Sequence, residues 1–386
     1  MFYIQRGKIP RRRHVVYRNE QGEHQFEEHI SRLGFSDIYS NAYHIHMPTR
    51  VAKVGKFRPI ALDSIEGDHR HRHLKTFDLK PKGDFVTGRV PLMFNADITM
   101  GTMSPVKGKG DAFYKNANAD EVIFIHQGSG TLESMFGNLT FGDGDYIVVP
   151  RGVIHNMVFD TDNNRVFYVE SSGPVDTPKH YRNQYGQLLE HSPYCERDIR
   201  TPEFQTPHNE VGEFPLHIRL HHGIQEYVWG HHPYDLVGYD GFYYPWIFNI
   251  RDYMPKVGQV HLPPPTHLTF SGPGYVICSF CPRPFDFDPN AVPIPYAHSN
   301  IDSDEVLYYV DGNFMSRKGI DIGSITLHPY GIPHGPQPGL LEKSLTAKET
   351  GELAVMVDTF RPLHMTKAAA ALEDDNYPYS WKPAPT

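Results

Sequence analysis

A spaced pattern of glycine, proline, glycine and histidine occurs twice in this chain. Gly144, Pro150, Gly152 and His155 form the first copy, and Gly323, Pro329, Gly331 and His334 repeat it with identical internal spacing. Each copy follows a glutamate that stands seven positions before a glycine, Glu121 with Gly128 and Glu305 with Gly312. A repeat at this separation means one structural unit built twice. The segments inside the repeats say what kind of unit. Residues 306–310 (VLYYV) are β-branched and aromatic and run into Asp311-Gly312-Asn313, so they read as a strand closed by a tight turn with Glu305 at its head. Residues 324–327 (SITL) and, in the first copy, 146–149 (YIVV) are further strands, each stopped by the following Pro-x-Gly. The chain is therefore expected to form two β-barrels.

The second copy carries a ligand set. His298 and Asn300 are two apart and share a face on an extended strand; Glu305 and His334 follow at strand ends separated by turns. Two imidazoles and one carboxylate on one face of an iron(II) ion leave positions open for oxygen and substrate. A single histidine is more often hydrogen-bonded than ligating, but the joint spacing of His298, Glu305 and His334 favours a metal centre. In the first copy Tyr114 and Asn116 stand where His298 and Asn300 stand, leaving only Glu121 and His155. That is too few for a tight site, so the first barrel is expected to serve packing and assembly.

Length and composition agree. At 386 residues the chain is long enough for two cores, and its scattered 33 Gly and 33 Pro suit turn-rich β structure. The net charge of -8 argues against a nucleic-acid partner, although Arg11-Arg12-Arg13 form a small basic cluster. No apolar run is long enough to span a membrane and the first residues lack an apolar signal region, so a cytoplasmic protein is expected. Cys195, Cys278 and Cys281 are too few for a disulfide framework; 275–280 (YVICSF) reads as a strand with buried thiols. Of the 24 histidines, His69, His71, His73, His221, His222, His231 and His232 cluster without a carboxylate at ligand spacing, and surface or interface packing is expected for them. Residues 1–105 read as an arm with early strands, 106–175 as the first barrel, 176–245 as a connection with few clear elements, 246–345 as the second barrel, and 368–372 (AAAAL) as a short helix before a Pro-rich end.

Both halves resemble the cupin motif pair, in which a His-x-His-x(3,4)-Glu-x6-Gly segment precedes Gly-x5-Pro-x-Gly-x2-His. Asn300 replaces the second histidine, which leaves the three-ligand version. Among two-barrel cupins the chain resembles the homogentisate 1,2-dioxygenase family: in 3–7 (YIQRG) with Pro10, in 235–245 (DLVGYDGFYYP), in 298–305, and in 327–336 (LHPYGIPHGP). The resemblance is patchy and covers nearly the whole chain. The interval from His298 to Glu305 is one residue longer than in the family, and only Glu305, not Asp304, keeps six residues before Gly312.

The resemblance implies a mainly all-β bicupin of two jelly-roll-like barrels with an N-terminal arm and a short C-terminal helical tail. It divides the chain into an arm and degenerate cupin (1–200) and a connection with a metal-binding cupin (201–386). It further implies iron(II) on His298, Glu305 and His334, and conversion of homogentisate and O2 to maleylacetoacetate in tyrosine and phenylalanine catabolism. His261 aligns with a family histidine beside the substrate and suits a general base, since a neutral imidazole can take a phenolic proton. His328 aligns with a second one, with a catalytic or a ligand-orienting role. Phe314 stands where the family has a tyrosine, and Arg317 where it has a lysine, suited to a substrate carboxylate. The implied partners are a small aromatic substrate, O2, and further copies of the chain in a trimer or hexamer. The alternatives are a cupin dioxygenase for gentisate or a related dihydroxy-aromatic acid, a metal-dependent isomerase, and a binding protein.

Overall fold

The computed structural model describes residues 1–312, 314 and 316–382. Asn313, the last residue of the expected turn, and the Pro-rich end from 383 lie outside them. Strands far outnumber helices among the described residues, and no described helix is long and apolar enough to cross a membrane.

The fold is the bicupin anticipated from the repeat. In the first barrel the glutamate-bearing strand Asp120–Gln127 lies between Asp145–Val149 and Arg165–Ser171, both antiparallel, in an eight-stranded sheet. Its run of Val122, Ile123, Phe124 and Ile125 is buried on both faces, as a strand covered on two sides requires. A seven-stranded sheet faces it, built on the hairpin Gly130–Ser134 and Gly137–Phe141 and on His155–Phe159. In the second barrel Asp304–Asp311 takes the equivalent place, between Ile325–His328 and Leu353–Thr359 in a six-stranded sheet. The facing layer here, among the described residues, is the ribbon of Arg283–Pro284 with Glu349–Thr350 and the bridge of His298 with His334, completed by loops. That thinner side holds the cavity described below.

The expected strands at 146–149, 275–280 and 306–310 lie in Asp145–Val149, Tyr275–Phe280 and Asp304–Asp311, and that at 324–327 forms one residue later, as Ile325–His328. The tail helix forms as Lys367–Ala370, capped by the Thr366 side chain, which accepts from Ala369 N. The connection at 176–245 differs from its expectation. It holds two long strands, Val211–Leu220 and Gly223–His231, joined by the two-residue turn His221-His222. Val211–Leu220 is exposed over most of its first half and the middle of Gly223–His231 is evenly half-buried, so the hairpin lacks the in-out alternation by which strands are recognised.

Pairing crosses residue 200 in both directions. Val211–Leu220, Gly223–His231, Leu236–Gly241, Trp246–Asn249 and His364–Met365 pair with strands of the N-terminal half. Arg72–Leu74 completes the sheet of the second barrel beside Ile325–His328.

Candidate metal centre and cavity

The backbone fixes the three candidate ligands before any ion is considered. Glu305 is the second residue of its strand and buried. His298 and His334 form a two-way bridge, each backbone N donating to the other's carbonyl at 2.8 Å. The loop carrying His334 turns at Gly331, whose φ of +71° is a left-handed value that glycine adopts without steric cost; Gly152 holds the same place in the first copy with φ +84°. Gly331 N donates to Asn300 O at 2.7 Å, which ties that loop to the His298 segment. Asp304 is occupied elsewhere, its two oxygens accepting from Tyr330 N and Leu363 N at 2.8 and 2.6 Å.

The side chains converge. Glu305 Oε2 lies 3.7 Å from His298 Nε2 and 3.5 Å from His334 Nε2, and one ligand atom from each residue lies within 4.8 Å of the others. Each histidine turns Nδ1 to a backbone carbonyl, Tyr296 O at 3.2 Å and Ile332 O at 3.3 Å. An Nδ1–H donated there leaves the Nε2 lone pair pointing inward, the tautomer a metal-binding imidazole needs. His334 Nε2 is buried without a hydrogen-bond partner among the described residues. Burial disfavours the charge on Glu305, but the facing His298, His328 and His334 outweigh it and hold its pKa well below the ordinary value. An ionised carboxylate with two inward lone pairs fits a divalent cation.

His328 is fully buried behind Glu305, not among the residues lining the cavity. Its Nδ1 lies 2.7 Å from Glu305 Oε1 and its Nε2 3.0 Å from the Tyr377 hydroxyl. Burial first, then the Arg317 charge, push its pKa down to about 3, so the ring is neutral. This placement sets His328 against a ligand, on the side of Glu305 away from the cavity lining. Asp358 lies in register with Glu305 on the next strand, and burial together with the Glu305 charge pushes its pKa up.

A cavity of about 140 Å³ opens beside the ligands, lined by His298, Glu305, His261, Phe314, Arg317 and apolar walls that include Ile294, Leu307 and Met356. A cavity of about 150 Å³ is enough for one benzene ring. His261 Nδ1 lies 3.8 Å from Asp286 Oδ2, and its ring packs edge-on against Tyr296 at 5.1 Å. Phe314 is buried edge-on against Tyr309 at 4.5 Å and offers the cavity no hydrogen bond. Arg317 donates to Ser316 O and Gly335 O at 3.0 and 2.7 Å, and its Nε is buried without a partner among the described residues.

The first barrel carries a cation of its own. The Arg89 guanidinium donates to Glu121 and to Glu170, and Tyr114 and Asn116 donate to Glu121 at 3.0 and 3.1 Å. His155 Nε2 still faces Glu121 Oε2 at 3.6 Å, as His334 faces Glu305. Burial opposes ionisation of Glu121, and the neighbouring Arg89 reverses that and lowers its pKa.

Sequence reasoning missed several neighbours of the centre. His71 and His73 are buried rather than surface residues: Arg72–Leu74 pairs with Ile325–His328, and the His71 ring packs 5.5 Å from His328 and 6.0 Å from His334. Of the alternating His69, His71 and His73, only His73 lies on the strand Arg72–Leu74; His71 just precedes it, and His69 is exposed. Tyr377 and Trp381 carried no comparable signal.

A family model described as the homogentisate 1,2-dioxygenase N-terminal region matches residues 68–250. A protein of Saccharolobus solfataricus named "Putative dioxygenase" is 38% identical over 384 residues, covering 99% of each chain. The chain belongs to the homogentisate 1,2-dioxygenase family. Family members named homogentisate 1,2-dioxygenase from Bradyrhizobium diazoefficiens and Rhodopseudomonas palustris are 26% and 27% identical, over 72% and 70% of this chain. Those matches span 64% and 63% of the two enzymes, just under two thirds of their length. Family membership supports an oxygenase activity on a cupin scaffold.

Proposed function

We propose that the protein is an iron(II)-dependent ring-cleaving dioxygenase that converts homogentisate and O2 to maleylacetoacetate, with both oxygen atoms retained in the product. The observation that carries this reading is the ionised Glu305 between two inward Nε2 lone pairs, at the wall of a cavity sized for one ring. His298, Glu305 and His334 would hold the ion, which supplies a redox-active centre with open positions for a hydroquinone oxygen and dioxygen. His261, beside Asp286 at the cavity wall, takes the phenolic proton as the substrate binds. Arg317 offers its unpartnered Nε–H to the acetate carboxylate. Leu307, Phe314 and Met356 pack the ring and keep water from it.

A second reading keeps the same site with gentisate or a related dihydroxy-aromatic acid. Phe314 favours testing it, because a wall without a hydroxyl at that point selects less strictly among ring substituents. Oxygen uptake by anaerobically iron-loaded protein, given homogentisate, gentisate and catechol in parallel, decides between them. Uptake is expected with homogentisate at a kcat/KM well above the others. Preference for gentisate would exchange the substrates, and no uptake with any of the three would overturn the dioxygenase reading.

A further inference from the structure

The inner side of the second barrel is closed by the last described residues of the chain, which no motif singled out. Asp374 N donates to His73 O at 2.8 Å, Gln337 Nε2 donates to Ser380 Oγ at 2.8 Å, and the turn Tyr377–Tyr379 places Tyr377 inside. Only 4% of Tyr377 is exposed, too little for a residue that merely covers a surface.

The chemistry of the contacts gives each a direction. A carboxylate that binds a metal can only accept, so the His328 ring places its proton on Nδ1, facing Oε1 at 2.7 Å. His328 Nε2 is then an acceptor, and the Tyr377 O–H, 3.0 Å away, is its donor. This chain of bonds fixes one oxygen of Glu305 and leaves Oε2 turned toward His298 and His334. Trp381 acts on Arg317, which lines the cavity. Its indole N–H donates to Gly335 O at 3.1 Å, the carbonyl that also accepts from Arg317, and the guanidinium lies 5.5 Å from the centre of its ring.

We propose that residues 374–382 are a working part of the site: Tyr377 is a positioning residue for Glu305, acting through His328, and Trp381 is a positioning residue for Arg317. The proposal rests on reading His298, Glu305 and His334 as the metal centre. Tyr377 governs how tightly the metal is held, and Trp381 governs how well an anionic substrate is held. Removing the Tyr377 hydroxyl strands a buried acceptor on His328 and frees that ring to swing away from Glu305. Removing the Trp381 ring takes away the face on which the guanidinium rests.

Cobalt(II) titration of the metal-free protein, followed by its d–d absorption, tests the first part without turnover. Tyr377→Phe keeps the ring and the packing; it is expected to bind cobalt about 10- to 100-fold more weakly, the usual scale for losing such a partner. Its metal-free melting temperature should stay within a few degrees of the parent. A folded Tyr377→Phe with the parent's cobalt affinity and spectrum would overturn Tyr377's role. Trp381→Leu tests the second part independently: KM for homogentisate should rise several-fold with kcat little changed, and Trp381→Phe should recover part of the loss. An unchanged KM, or a fall in kcat alone, would overturn the role of Trp381. Parent protein that takes up no cobalt, or a His298→Ala variant that binds it as tightly as the parent, would instead remove the metal-centre reading, and the Tyr377 proposal with it.

Discussion

Nδ1 of His126, on the glutamate-bearing strand of the first barrel, lies 2.7 Å from the hydroxyl of Tyr308 on the equivalent strand of the second. The Tyr308 ring also stacks on Phe167 at 5.1 Å, so the contact is a polar member of an aromatic seam between the two barrels. Burial first, and then the Arg165 charge, push the His126 pKa down to about 4. An unfolded histidine takes up its proton near pH 6.5, so between pH 6.5 and 4 the unfolded chain binds a proton that folded His126 refuses. Stability is complete above pH 6.5 and is lost as pH falls toward 4, by roughly 1–3 kcal/mol from this residue. His71, also pushed down to about 4 by burial, adds to the same loss. Urea denaturation at pH 7.5 and pH 4.5 should show a smaller loss for His126→Gln than for the parent; equal losses would mean that the seam does not exclude the proton.

Substitution of the triad should separate the two barrels chemically. His298→Ala, Glu305→Ala and His334→Ala are each expected to remove most bound iron and essentially all turnover. His155→Ala should leave iron content unchanged, because Arg89 already neutralises Glu121. Metal analysis that found a second stoichiometric iron on Glu121 and His155 would refute this.

Arg89→Met should be among the most destabilising single changes in the chain. It leaves Glu121 and Glu170 buried with far less compensating charge, and breaking a buried ion pair from one side costs about 3–5 kcal/mol. A shift of less than about 1 kcal/mol in chemical denaturation would show that water reaches the two carboxylates.

His261→Ala is expected to retain iron and lose about a hundredfold or more in turnover, the scale of a lost general base. Asp286→Asn should give a smaller loss, since it removes only the charge facing His261 Nδ1. Near-normal turnover in iron-replete His261→Ala would refute the base.

Arg317→Ala should raise KM for homogentisate much more than for a hydroquinone without the carboxylate. Equal effects on the two substrates would remove Arg317 from substrate binding and leave it as a clamp on Ser316 and Gly335.

How far the site was legible from sequence depended on how local its causes are. Glu305 and His334 could be placed because the elements delivering them are punctuated nearby, by Gly312 after one strand and Pro329 and Gly331 after the other. The hairpin at 211–231 escaped because Val211–Leu220 is exposed over most of its first half and Gly223–His231 is evenly half-buried along its middle, so neither has an alternation to read. Tyr377 and Trp381 escaped for a different reason: their positions follow from the chain's return across Arg72–Leu74, a tertiary event with no periodicity or turn signature. Arg89 was overlooked because it enters the first barrel from a strand outside the repeated motif.

The exchange of strands between the halves governs how the protein can be made. The strand Arg89–Phe94 receives its last neighbour, His364–Met365, only near the end of the chain, and Ile325–His328 waits for a neighbour, Arg72–Leu74, made long before it. A ribosome that has released the first 200 residues has therefore released an unfinished sheet with bare edges, the kind of surface that recruits other strands. Closing those edges requires contacts far apart in sequence, which form slowly. The two barrels are thus expected to fold together and to unfold in one cooperative transition, and a chain interrupted before residue 364 is expected to be prone to aggregation.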